Sequence, residues 1–189
     1  MSAPVLQVIL ASTRPGRVGE PVAQWFVDRA TEHGGFTVEL LDLKEINLPF
    51  LDEANHPMLG KYEHQHTKDW SATIARGDAY VLVMPEYNHS FTAPLKNALD
   101  YLNKEWAHKP VGFVSYGGVA AGTRAATAIK MVVTALRMTP LFEAVHIPFV
   151  KTLIEDGVFT PGPVTEDAVK PMLDELARIS AQLKPLRAS

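Results

Sequence analysis

AYVLVMPEYNHSFTAPLKNALDYL, residues 79–102, decides the fold. Its first six residues are an apolar run of β-formers, which suits a strand buried on both faces of a parallel sheet. Further on, Leu95, Ala98, Leu99, Leu102 and Trp106 fall at i, i+3, i+4, i+7 and i+11, one stripe of a 3.6-residue period. The stripe predicts a helix over 92–106, with Pro94 in its first turn and Thr92 as its cap. A buried strand followed at once by an amphipathic helix is half of a βαβ unit.

Four more β-rich runs lie at 5–11, 36–42, 111–116 and 141–147. Helical segments separate or follow them. Met131, Ala135 and Met138 mark one face of 123–138, and Val169, Met172, Leu173, Leu176, Ile179 and Leu183 form a C-terminal stripe, with Pro171 near its start. Strand alternating with helix predicts one domain over 1–189, a parallel sheet with right-handed crossovers. The one long irregular stretch, 43–66, holds three of the seven histidines, and a loop of that length is expected to be functional or interfacial.

Composition sets the outer limits. Of 189 residues, 47% are apolar and 21% charged, an ordinary globular balance. A net charge of −3 argues against a nucleic-acid footprint or a membrane-seeking basic face. Zero Cys removes disulfides, thiolate metal sites and thiol nucleophiles. VLQVILA, at 5–11, falls far short of the roughly 20 residues of a membrane span. The start carries no signal-peptide pattern, so a cytoplasmic protein is expected and the Asn88-His89-Ser90 sequon is read as chance.

In a doubly wound sheet, ligands bind beyond the carboxyl ends of the strands. After strand one, ASTRPGRVGEPVAQW (11–25) sets hydroxyls, two glycines and two arginines ahead of a helix, the groups an anion needs. It is neither a Walker loop nor Gly-x-Gly-x-x-Gly, and it also suits a Gly/Pro turn with solvated arginines. After strand three, PEYNHS (85–90) offers an aromatic face beside amide and hydroxyl groups, as a flat heteroaromatic ligand requires. It equally suits a turn that satisfies its own backbone. After strand four, Gly117-Gly118 admits close approach of a ligand to backbone, with Tyr116 beside it, or serves as a flexible turn. His64-x-His66 has chelating spacing but no third ligand, so no metal is expected. Without a Gly-x-Ser-x-Gly elbow, a hydrolase triad has little support.

SxRPxRVG after strand one, PEYNHS-x-x-AP-LKNALDYL after strand three and SYGG after strand four resemble the NADPH-dependent FMN reductase family. That group includes quinone, azo-compound and chromate reductases, and the resemblance runs from about residue 5 to 184. It implies a flavodoxin-like three-layer α/β sandwich, with a five-stranded parallel sheet in the order 2-1-3-4-5 and helices on both faces. By position it assigns Ser12, Arg14, Arg17, Val18 and Gly19 to the FMN phosphate. Pro85, Glu86, Tyr87 and Asn88 fall at the isoalloxazine edge, and Ser115, Gly117 and Gly118 in the rest of the flavin pocket. It further implies NADPH or NADH as donor and a quinone, azo dye or similar acceptor, with the flavin rather than a side chain carrying the chemistry. A homodimer or homotetramer, meeting through the helix near Pro94 and the 43–66 loop, is also implied. Ala11 is a departure, since relatives often have Gly there. Two rival readings are an electron carrier on the same fold and a flavin-free binder of a phosphorylated metabolite. The mild net charge gives the first little acidic docking surface, and the second leaves two loops without purpose.

Overall fold

The apolar runs become five parallel strands in a computed structural model that describes residues 3–187. In chain order the elements begin with β1 (Val5–Leu10), α1 (Gly19–His33), β2 (Thr37–Asp42), the single-turn α2 (Leu43–Ile46) and α3 (Gln65–Arg76). Then come β3 (Ala79–Pro85), α4 (Ala93–Asp100), β4 (Pro110–Tyr116), α5 (Thr123–Ala135) and β5 (Thr139–Ile147). The sheet order is β2-β1-β3-β4-β5, all parallel, as the resemblance implies. After β5 the chain adds a small hairpin, β6 (Ile154–Glu155) and β7 (Val158–Phe159), which the sequence reading did not anticipate. It closes with α6 (Pro163–Asp167) and α7 (Val169–Leu183).

Every residue of β3 and β4 is buried, because helices cover both faces of the sheet. On one face Leu6, Val8 and Leu10 pack with Val22 and Phe26 of α1 and Leu173 and Leu176 of α7. On the other Ile9, Leu82 and Met84 pack with Trp70 and Ile74 of α3, Leu95 and Leu99 of α4, and Ile129 and Val133 of α5. Each such side chain contributes about 1.5–3 kcal/mol by leaving water, which makes the central strands the rigid frame of the site.

The predicted helix over 92–106 is α4 followed by a turn and a separate 3₁₀ turn at Lys104–Trp106, with the whole apolar stripe buried as expected. Thr92 caps α4 by accepting from Leu95 N–H (3.4 Å), and its hydroxyl donates to the Ala11 carbonyl (3.0 Å). Ala11 needs no left-handed backbone and continues the sheet pairing, its N–H donating to Val83 (3.0 Å). Alanine is therefore accommodated at this departure from the family. Pro171 falls in the first turn of α7, where its missing N–H costs nothing.

The face assigned to α5 is corrected. Met131 is 76% exposed and Ala135 is exposed too, whereas Met138 is buried; the buried face of α5 is Ala125, Ala126, Ile129 and Val133. The 43–66 stretch docks on α4: Asn97 Nδ2 donates to the Pro49 carbonyl (2.7 Å), and the Tyr101 hydroxyl to Asp52 (3.0 Å). His64 and His66 stack 5.2 Å apart, and His66 pairs with Asp52 at 3.0 Å. Among the described residues no group of three His, Cys, Asp or Glu is placed to hold a metal.

Candidate functional site

The first loop turns on Pro15 and Gly16 (φ 66°), closed by Arg17 N–H to the Arg14 carbonyl at 3.1 Å, the residue pattern of a type II turn. α1 then starts from Val18, which provides no side-chain cap, so the amides of its first turn stay open toward the loop. The Ser12 and Tyr116 hydroxyls are both buried there, neighbours of one another, and neither meets hydrogen-bond geometry with any of the described residues. Both point at Gly19: a Cβ at that position would strike the Ser12 hydroxyl and approach the Tyr116 oxygen to 2.5 Å. Burial pushes the Tyr116 phenol up to about 12, with neighbouring Ser12 acting the other way, so it stays a donor at neutral pH. Two buried donors without acceptors are costly unless something fills the space they face.

The two arginines of the loop have different work. All five N–H donors of Arg17 are engaged. They reach the Ser12 carbonyl (2.5 Å), both oxygens of Asp42 at the end of β2 (2.7 and 2.5 Å), and Glu20. With its side chain 4% exposed, Arg17 is a brace. Arg14 is exposed and makes no side-chain hydrogen bond or ion pair among the described residues. Of the two, only Arg14 has donors to offer an anion.

Past β3, Pro85 extends the strand, and Glu86 N–H donates to the Tyr116 carbonyl (3.0 Å). Tyr87 and Ser90 then exchange both backbone hydrogen bonds at 2.9 Å, with Asn88 (φ 48°) and His89 (φ 66°) at the tip. Two positive-φ residues at a hairpin tip are the type I′ arrangement, so this loop satisfies its own backbone. Asn88 makes no side-chain hydrogen bond among the described residues and lies outside the cleft. The Glu86 carboxylate accepts from the Arg124 guanidinium (2.8 Å) and its backbone N–H (3.2 Å). Burial alone would raise its pKa, but Arg124 outweighs burial and holds the carboxyl below the usual range, so Glu86 is a fixed anion rather than a proton carrier.

Past β4, a Cβ at Gly118 would meet nothing within 4 Å, while one at Gly117 would sit 3.3 Å from Gly122 N. Ser115 faces away: its hydroxyl lies 2.9 Å from the Ala121 carbonyl and 2.7 Å from His146 Nδ1, tying the loop that follows. The segment after β5 folds back over the glycines. Phe149 N–H donates to Gly118 (3.1 Å), and Val150 N–H to Gly117 (3.2 Å). Phe149 adopts φ 47°, a strained value for a bulky residue, and stands 55% exposed at the cleft.

The result is a cleft of about 350 Å³. Ser12, Arg14, Arg17, Val18, Pro85, Glu86, Tyr87, Gly117 and Gly118 line it as the sequence predicts. Gly19, Asn88 and Ser115 do not: they lie under, beyond and behind it. Tyr116 was noted only as a flank, and Phe149, Val150, Lys151 and Thr152 were missed. The available signal for those four was position, since they follow the carboxyl end of the fifth strand. One end of the cleft offers Arg14, two hydroxyls and open helix amides. The other offers the Tyr87 ring, strand-end backbone and the glycines. That division fits a flat ring system carried on a phosphate, which is the shape of FMN.

Residues 5–152 match the family model for NADPH-dependent FMN reductase. The chain is 38% identical over 162 residues to an NAD(P)H-dependent FMN reductase of Schizosaccharomyces pombe, covering 84% of this chain and 80% of that protein. It is 27% identical over 155 residues to an FMN-dependent NADPH-azoreductase of Staphylococcus saprophyticus, covering 80% and 81%. In fold it is similar to the flavoenzyme NAD(P)H:acceptor oxidoreductase FerB of Paracoccus denitrificans, with a TM-score of 0.74, 18% identity, and 95% and 98% of the two chains covered.

Proposed function

This chain belongs to the NADPH-dependent FMN reductase family, and on that premise we propose how its own residues serve an NAD(P)H-dependent, FMN-containing oxidoreductase acting on quinones, azo compounds or similar small acceptors. One observation carries the reading: the buried, unpartnered Ser12 and Tyr116 hydroxyls beside the free Arg14, at the open amino end of α1. Bound FMN supplies the acceptance of a hydride from the nicotinamide and its donation to the acceptor. The protein binds and orients. Arg14, Ser12, Tyr116 and the first amides of α1 hold the phosphate, while Arg17 fixes the loop that presents them. Backbone at 85–87 and Gly117-Gly118 faces the ring system, and Tyr87 and Phe149 flank the mouth where a second flat molecule enters. Glu86 serves in this division of labour as a fixed anion, held ionised by Arg124.

The proposal extends to a single domain over 1–189, a cytoplasmic location, where NAD(P)H is supplied, and a homodimer or homotetramer. No helix among the described residues is long and apolar enough to cross a membrane. Oligomerisation through α4 and the 43–66 loop is supported by Phe50, 85% exposed, with Leu51, Met58 and Leu59 exposed nearby. The test is spectroscopic. Purified protein given FMN should hold the flavin, bleach on anaerobic NADPH and recover its bands with a quinone. Failure to take up FMN at micromolar concentration would overturn the reading. Light scattering on the same sample checks the oligomer.

A further inference from the structure

The amino ends of the strands enclose a second cleft, on the opposite edge of the sheet from the first, for which the flavin reading has no use. Gly77 and Asp78 precede β3, Ala107 to Lys109 precede β4, and Arg137 precedes β5; Lys104, Lys184 and Arg187 close the sides. Its volume is about 860 Å³, against about 350 Å³ for the flavin cleft.

The charge here runs against that of the chain. Six basic residues (Lys104, His108, Lys109, Arg137, Lys184 and Arg187) face two acids in a protein of net charge −3. Both acids already have partners. Asp78 accepts from Arg187 (2.7 Å) and Val5 N–H (2.9 Å), and Glu105 from the Tyr62 and Ser71 hydroxyls (2.9 and 2.6 Å). Two of the cations are likewise engaged. The buried Lys109 ammonium donates to the Ile74 and Ala75 carbonyls and the Tyr80 hydroxyl (2.9, 3.3 and 2.9 Å), and Arg187 is held by Asp78. The side chains of Lys104, His108, Arg137 and Lys184 have no hydrogen-bond acceptor among the described residues. Lys104, Arg137 and Lys184 are thus cations without a carboxylate partner among the described residues, above a floor that already carries the buried ammonium.

Backbone geometry supplies a second, independent observation. α5 ends in a Schellman motif: Arg137 N–H donates to Thr134 (2.9 Å) and Met138 N–H to Val133 (3.0 Å). The left-handed position of that motif, which favours glycine, carries Arg137 at φ 60°. Facing it, His108 adopts φ 59° and donates its N–H to the Arg137 carbonyl (2.9 Å). Two adjoining positions that favour glycine thus both hold basic side chains, against local backbone preference.

We propose that this cleft binds a phosphorylated small molecule carrying at least two negative charges, of the nucleoside di- or triphosphate class, through Lys104, His108, Arg137 and Lys184. A pocket of this size with three separated cations, Lys104, Arg137 and Lys184, and the His108 imidazole in the same lining suits a chain of phosphates better than a single oxyanion. Glycine replacement provides a clean test, since it removes charge and relieves φ together. Calorimetric titration with tripolyphosphate, in excess FMN so that the first cleft is occupied, should show saturable binding to the parent protein. His108→Gly combined with Arg137→Gly should weaken that binding about tenfold or more. The double variant should still take up FMN and should melt at the same temperature as the parent, or higher, without anion. No saturable binding at millimolar tripolyphosphate, unchanged affinity in the double variant, or equal affinity for acetate would each overturn the proposal.

Discussion

The loops after β1 and β3 are both short, polar and proline-bearing, yet their hydrogen-bond accounts differ. In the Tyr87–Ser90 turn, backbone donors and acceptors are matched within the turn itself, and Asn88 and His89 project past the cleft. At the Ser12–Gly19 loop, the buried Ser12 hydroxyl, the Tyr116 hydroxyl that reaches it from the end of β4 and the first amides of α1 find no acceptor among the described residues, and one of the loop's two arginines makes no side-chain bond there. The turn after β3 is finished without a ligand, and the loop after β1 is not. Composition hides this difference, because it depends on where each polar atom finds its partner.

The largest test of the contrast is Arg17→Ala. It removes a saturated guanidinium and leaves the largely buried Asp42 carboxylate without its partner, so the stability lost should be about 3 kcal/mol or more, read as a fall in the urea midpoint. If stability were unchanged while FMN affinity collapsed, Arg17 would be a phosphate ligand rather than a brace. Arg14→Ala should do the reverse. FMN affinity should fall by about 1.5–3 kcal/mol, tenfold to over a hundredfold, with stability within about 0.5 kcal/mol. Tyr116→Phe should lower FMN affinity by about 1 kcal/mol while sparing riboflavin, which lacks the phosphate, and the unliganded protein should lose nothing because that hydroxyl has no partner to forfeit. Equal losses for both flavins would place the phenol at the ring. The smallest effect is expected at Asn88→Gly: glycine suits φ 48°, so FMN affinity should move by less than about 0.5 kcal/mol and the melting temperature should hold or rise slightly. A tenfold loss there would return Asn88 to the site.

Much of this was legible in the sequence, for identifiable reasons. The β3 and β4 runs are apolar throughout because both their faces are covered, and the Leu95–Trp106 stripe is buried as its spacing implies. Position after a strand located three of the four loops that form the cleft. What stayed hidden depends on long-range pairing. The role of Arg17 is set by Asp42, twenty-five residues on, which closes β2 and takes up the fork. Phe149 to Thr152 reach the cleft only because the chain after β5 hydrogen-bonds back to Gly117 and Gly118. Met131 misled for another reason: an apolar residue on a helix carries no mark of which face meets the sheet, and here it faces water.

Arg17 also bears on the timing of recognition. Because its bonds to the Ser12 carbonyl and to both Asp42 oxygens join the first loop to the end of β2, the phosphate seat is shaped as the chain folds and not as the ligand arrives. The conformational entropy of ordering that loop is lost during folding, so little is left to lose at binding. Cofactor capture should then proceed by simple docking at a rate set by encounter, with a single kinetic phase and no slow closure step.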